Sequence, residues 1–133
     1  MIYPMAKTKQ PRPTDAELEI LRILWHRGAS TVRDVFDALS KSKTTGYTTV
    51  LKLMQIMAEK GLVRRDEEER AHVYKARVPQ DQTQRQMVRD LLRRAFNDSA
   101  AQLVMQALAS KKASPEELAQ IRQLLDAYER GEP

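Results

Sequence analysis

The stretch Tyr47–Lys60 sets Thr48, Lys52, Gln55 and Glu59 three or four residues apart, with Thr49 and Ile56 flanking them on one side and Leu51 on the other. At about 100° per residue these side chains share one face of a helix, while Val50, Leu53, Met54 and Met57 fill the opposite face. A face that only solvates a helix is more often filled with Glu and Lys. Thr48, Thr49, Lys52 and Gln55 are instead short or flexible polar groups with the donors and acceptors to meet base edges and phosphate oxygens. Leu51 on the rim suits either a thymine methyl or contact with the preceding helix. Thr45 and Tyr47 stand at the helix entrance, where hydroxyls and free amides together favour a phosphate; for Thr45 a plain N-cap is the simpler role. Immediately beyond Gly61 come Arg64, Arg65, Arg70 and His72; arginines on a hairpin beside such a helix suit phosphate or minor-groove contact, with Arg64, Arg70 and His72 the expected phosphate contacts. Between them, Asp66, Glu67, Glu68 and Glu69 form an acidic run that DNA would repel, so a solvated, salt-bridging turn is the expected place for it.

These groups need elements to hold them. Thr14-Asp15-Ala16-Glu17 has the form of a capping box and opens a first helix, with Leu18, Leu21 and Trp25 at helical spacing and Gly28 as the stop. A second helix starts near Thr31, itself a candidate phosphate contact, and carries Val32, Val35, Phe36 and Leu39 at i, i+3, i+4 and i+7. Lys41–Gly46 is turn-like, Tyr47–Lys60 is the third helix, and Leu62–Arg65 and His72–Arg77 read as a hairpin. Three helices followed at once by a basic hairpin are the pattern of a winged helix-turn-helix. The expected fold is therefore mainly α, a winged helix followed by an α-helical region. The expected organisation is a flexible arm over residues 1–13, a DNA-binding domain over 14–79 and a helical dimerisation domain over 80–133.

The last third carries three amphipathic helices. Gln80–Phe96 presents Val88, Leu91, Leu92 and Phe96; Ser99–Ser110 presents Leu103, Val104 and Leu108; the helix capped by Ser114-Pro115-Glu116-Glu117 presents Leu118, Ile121, Leu125 and Tyr128. About 50 residues cannot bury much apolar surface alone. A second copy of the chain is the economical partner for these stripes; packing on the chain's own N-terminal domain is the alternative.

Composition narrows the classes. The net charge of +5 is uneven: residues 1–13 hold three cations and no acid, residues 14–79 twelve cations and ten acids, and residues 80–133 eight of each. No apolar run is long enough to cross a bilayer, and no secretory pattern opens the chain. The absence of cysteine excludes disulfides and thiolate metal sites and suits the cytoplasm. His26 and His72 stand in no metal-ligand pattern, and no nucleophile–histidine pairing or phosphate-cradling glycine loop is present. No enzyme, cofactor or metal is expected. A winged-helix protein–protein module that never binds DNA is the competing reading.

The combination of Ala16-Glu17-Leu18-Glu19-Ile20-Leu21 with Trp25, Thr31-Val32-Arg33-Asp34-Val35, Tyr47-Thr48-Thr49-Val50, Glu59-Lys60-Gly61-Leu62-Val63, and Arg70 with Val73-Tyr74 resembles the penicillinase repressor family of winged-helix transcriptional regulators. The similarity spans about residues 14–130. The resemblance implies a homodimeric bacterial repressor whose N-terminal domains each bind half of a palindromic double-stranded operator, controlling β-lactamase-type or related genes. It further implies signalling through a membrane metalloprotease sensor, with cleavage in the C-terminal region. The family's Asn-Phe cleavage position aligns near Gln106-Ala107, and family wings often carry Gly and basic residues where Asp66–Glu69 stand here.

Overall fold

The computed structural model describes residues 11–67 and 72–132. The expected N-terminal arm therefore lies outside them but for its last three residues. Six helices and one two-stranded sheet are present among the described residues: α1 (Asp15–Arg27), α2 (Val32–Ser40), α3 (Tyr47–Lys60), β1 (Val63–Asp66), β2 (Val73–Ala76), α4 (Gln80–Ala95), α5 (Ala100–Ser110) and α6 (Pro115–Glu129). The fold is mainly α, as the sequence pattern predicts. The chain divides into two compact units, one ending at Arg85 and the other starting at Gln86.

Local chemistry sets the helix ends in the first unit. At α1 the Glu17 amide donates to Thr14 Oγ1 (3.2 Å) while the Thr14 amide donates to Glu17 Oε1 (2.8 Å). The same reciprocal box opens α2, between Thr31 and Asp34, at 3.0 Å each way. Each box satisfies two amides that the start of a helix otherwise leaves unpaired. Hydrogen bonds to Asp34 from the Thr31 amide and the Thr31 side chain, with the nearby Arg27 guanidinium, hold the Asp34 carboxyl below its ordinary range despite some burial. Helix α3 begins differently. Its N-cap is Gly46, not Thr45, and no side chain caps it. It stops at Gly61, whose φ of +86° is a left-handed conformation that L side chains rarely adopt, and Leu62 N–H returns to the Met57 carbonyl at 2.9 Å.

Strands β1 and β2 pair antiparallel from Val63↔Ala76 to Asp66↔Val73. Ser30 extends this ribbon: its amide donates to the Tyr74 carbonyl (3.0 Å) and the Tyr74 amide to the Ser30 carbonyl (2.8 Å). That bridge fastens the hairpin beside the start of α2. Leu62 lies before β1 and is buried.

The core combines Ile20, Leu21 and Leu24 from α1, Val32, Val35 and Leu39 from α2, Val50, Met54 and Met57 from α3, and Leu62, Val63 and Tyr74 from the hairpin segment. Helix α1 departs from the predicted stripe. Its buried face runs through Ile20 and Leu24, whereas Leu18 and Trp25 are only half-buried. The Trp25 indole uses its polar edge instead, donating to the Val78 carbonyl at 2.9 Å. One buried charge joins the first helix to the third: Lys60 Nζ lies 2.6 Å from Glu17 Oε1, with the Glu17 side chain 3% exposed.

In the second unit, no residue of α5 or α6 is buried. Leu92, Phe96, Leu103, Leu118 and Ile121 are half-buried. Val88, Leu91, Val104, Leu108, Leu125 and Tyr128 are 42–61% exposed.

Candidate nucleic-acid interface

Helix α3 supplies the polar face. Thr48, Thr49, Lys52, Gln55 and Glu59 are all exposed, opposite buried Val50, Met54 and Met57. Lys52 has no ion pair among the described residues. At 1.5 Å per residue, 14 residues make a rod about 21 Å long, and a helix of that kind fits the DNA major groove.

Beside this face a groove of about 430 Å³ is framed by Thr31, Val32 and Arg33 of the α2 start, Tyr47, Leu51 and Gln55 of α3, and Arg65, His72 and Tyr74 of the hairpin segment. The structure thus brings together five of the expected contact residues: Thr31, Tyr47, Leu51, Gln55 and His72. Leu51 is half-buried at the groove wall, packed against the hydrophobic core. Thr45 is half-buried ahead of the helix and does not line the groove. Thr48, Thr49 and Lys52 stand exposed on α3 outside it.

The hairpin register sorts its arginines. Arg65 pairs across the ribbon with buried Tyr74, and Arg64 with Lys75. Residues opposite one another share a face and neighbours along a strand alternate. Arg65 therefore lies on the groove side, and Arg64 on the far side with Lys75. Of the two hairpin arginines, Arg65 thus lines the groove and Arg64, an expected phosphate contact, does not. Arg70, with Glu68 and Glu69, lies outside the described residues. Arg65 is occupied locally: its Nη2 and Nε reach Glu67 Oε2 at 2.5 and 3.1 Å, and it is hydrogen-bonded with the Tyr74 side chain. Glu67 thereby makes one salt bridge of the kind expected for the acidic run.

Arg33 was not singled out from the sequence, yet it lines the groove. Its guanidinium Cζ lies 4.7 Å from the Tyr47 ring centroid and 5.4 Å from that of Phe36. The two rings meet edge to face at 5.7 Å. The Arg33–Phe36 spacing of three residues on one helix was the available signal; the approach of Tyr47 depends on how α2 and α3 cross.

Among the described residues, no group of three or more His, Asp or Glu is placed to hold a metal ion. No helix among them is long and apolar enough to cross a membrane.

A model of the family described as Penicillinase repressor matches residues 13–127. A Penicillinase repressor of Bacillus licheniformis is 25% identical over 120 residues, covering 90% of this chain and 94% of its own length. The transcriptional regulator BlaI of Mycobacterium tuberculosis is 33% identical over 98 residues, 73% of this chain and 71% of its own. Among solved structures, the DNA-binding domain of the repressor BlaI aligns with a TM-score of 0.49 and 28% identity, over 54% of this chain and 88% of that one.

Proposed function

The chain belongs to the penicillinase repressor family and is a transcriptional repressor rather than an enzyme, and from that premise we propose that it acts as a homodimer on a palindromic operator, reading bases with α3. The observation that carries this reading is the exposed Thr48, Thr49, Lys52 and Gln55 face beside a groove lined with hydrogen-bonding and cationic groups. Thr48, Thr49, Leu51 and Lys52 face base edges. Tyr47, Thr31 and His72 hold the backbone alongside. Residues 14–79 form the DNA-binding head, and residues 80–133 join two copies through the exposed stripes of α4, α5 and α6. The protein works in the cytoplasm, where the DNA is.

Coupling two heads makes the second half-site contact intramolecular, which raises avidity by about 10²–10⁴. Loss of the joined C-terminal region therefore releases the operator without touching any base-reading residue. Proteolysis by a membrane metalloprotease sensor is one route to that loss. Gln106–Ala107 lies within α5, so cleavage there requires the helix to open first, because a helical backbone has its amides and carbonyls engaged.

The test is selection of bound duplexes from a random-sequence pool. The proposal expects enrichment of a two-fold symmetric motif, with half-sites one helical turn apart or a multiple of it. Lys52→Ala should weaken binding to the recovered motif more than to an unselected duplex. Recovery of no motif, with equally weak retention of every duplex, would instead favour a protein–protein module.

A further inference from the structure

The groove holds a guanidinium that family membership does not assign. Arg33 is the second residue of α2, with its Cζ 4.7 Å from the Tyr47 ring centroid and 5.4 Å from that of Phe36. Those rings are inclined at 71° and form two walls of a corner around it. Asp37 stands four residues on, the usual spacing for a helical ion pair, yet Arg33 has no ion pair among the described residues. The neighbouring arginines differ. Arg65 is taken up by Glu67 and Arg27 by Asp34.

A guanidinium held over aromatic rings is attracted to their π faces and keeps its N–H groups for another partner. It is also pre-organised, so less freedom is lost per hydrogen bond formed. Among the described residues no carboxylate lines the groove it borders. Thr31 lies in the same groove, but its hydroxyl is engaged in the capping box, accepting from the Asp34 amide and hydrogen-bonded to the Asp34 carboxyl, so Arg33 is the group left to meet an incoming anion at this corner. A planar cation with several N–H groups and no carboxylate partner among the described residues fits an anion bearing several oxygens.

We propose that Arg33 grips one DNA backbone phosphate and that Tyr47 is the platform that aims it. This rests on the DNA-binding reading above. Since Tyr47 is the first residue of α3, a phosphate held at this corner fixes how deeply, and in which register, α3 enters the major groove. Arg33 is then a positioning residue with no part in choosing bases.

The experiment uses the full chain and fluorescence anisotropy across a potassium chloride series. Its probes are a labelled duplex recovered by the wild type from a random pool and an unselected duplex of equal length. Arg33→Ala should weaken binding about tenfold on both duplexes and make log K against log salt shallower by about 0.9, the value of one phosphate contact. Arg33→Lys should keep the slope and lose several-fold in affinity, since the charge remains and the stacked plane does not. Tyr47→Phe should keep more affinity than Tyr47→Leu. Arg33→Ala combined with Tyr47→Leu should cost less than the two single losses together. An unchanged slope in Arg33→Ala, or a loss confined to the selected duplex, overturns the assignment while leaving DNA binding intact. A wild type that binds neither duplex with any salt dependence overturns both readings together.

Discussion

Lys60→Met tests the charge that ties α1 to α3. The Lys60 Nζ–Glu17 Oε1 distance is 2.6 Å, and the side chains are 33% and 3% exposed respectively. Methionine keeps most of the stem and removes the ammonium. The Glu17 carboxylate would then rest on Thr14, whose amide donates to it at 2.8 Å and whose side chain adds a hydrogen bond. Breaking a buried pair in this way costs about 3–5 kcal/mol. Water reaches the exposed end of Lys60, so the expected loss is smaller, about 1–3 kcal/mol. For a folded unit of this size each kcal/mol moves Tm by about 4–8 °C, so a fall on the order of 10 °C is expected. The pH dependence supplies the second half of the test. Burial pushes the Glu17 carboxyl up, but the hydrogen bonds from Lys60 and Thr14 and the charge of Lys60 outweigh it, and the net shift is downward from the ordinary 4.5. A depressed carboxyl contributes stability above its unfolded value and loses it as pH falls through the folded one. The wild type should therefore lose this contribution below about pH 4.5. Without Lys60 only the Thr14 bonds oppose burial, the carboxyl tolerates a proton more readily, and the Tm gap between variant and wild type should narrow in acid. Melting followed by circular dichroism from pH 7 to pH 3.5 reads both effects. Equal melting temperatures at pH 7, or a gap that stays constant into acid, would refute the reasoning. Glu17→Leu with Lys60→Met should regain much of the loss, less the roughly 1 kcal/mol of the capping box.

Gly61→Ala should destabilise by about 1 kcal/mol in urea titrations with an unchanged m value, because φ is +86° while open space surrounds the position a Cβ would take. Trp25→Phe should lose about 1 kcal/mol by the same assay, the worth of the indole bond to the Val78 carbonyl. Leu125→Asp together with Tyr128→Asp should shift the protein to a monomer in sedimentation equilibrium and leave the helical signal largely intact; a persistent dimer would remove α6 from the proposed interface.

The elements legible in the sequence were those set by local chemistry. The Thr14-x-x-Glu17 box, the glycine stops at Gly28 and Gly61, the Ser114-Pro115 start and the Val50–Met57 stripe each act within a turn or two of chain. Residues joined at long range were not legible. Glu17 and Lys60 lie 43 positions apart, and nothing in either segment marks the pair. The Ser30–Tyr74 bridge that places the hairpin is equally remote in sequence. On α1 the apolar residues are dense enough for two overlapping stripes, and only tertiary packing selects Ile20 and Leu24 over Leu18 and Trp25. For the candidate site, the exposed face of α3 followed from helical period. Which of Arg64 and Arg65 borders the groove required the strand register against Tyr74, and the Arg33 corner required the crossing of α2 over the start of α3.

The central claim is that DNA docks on α3 and the groove beside it. The direct measurement is a titration of uniformly ¹⁵N-labelled protein with a duplex recovered from the random pool, following each backbone amide. Shifts should concentrate at Thr31–Arg33, Tyr47–Gln55 and His72. Shifts confined to α4–α6, or an unchanged α3 in the presence of bound duplex, would contradict the account.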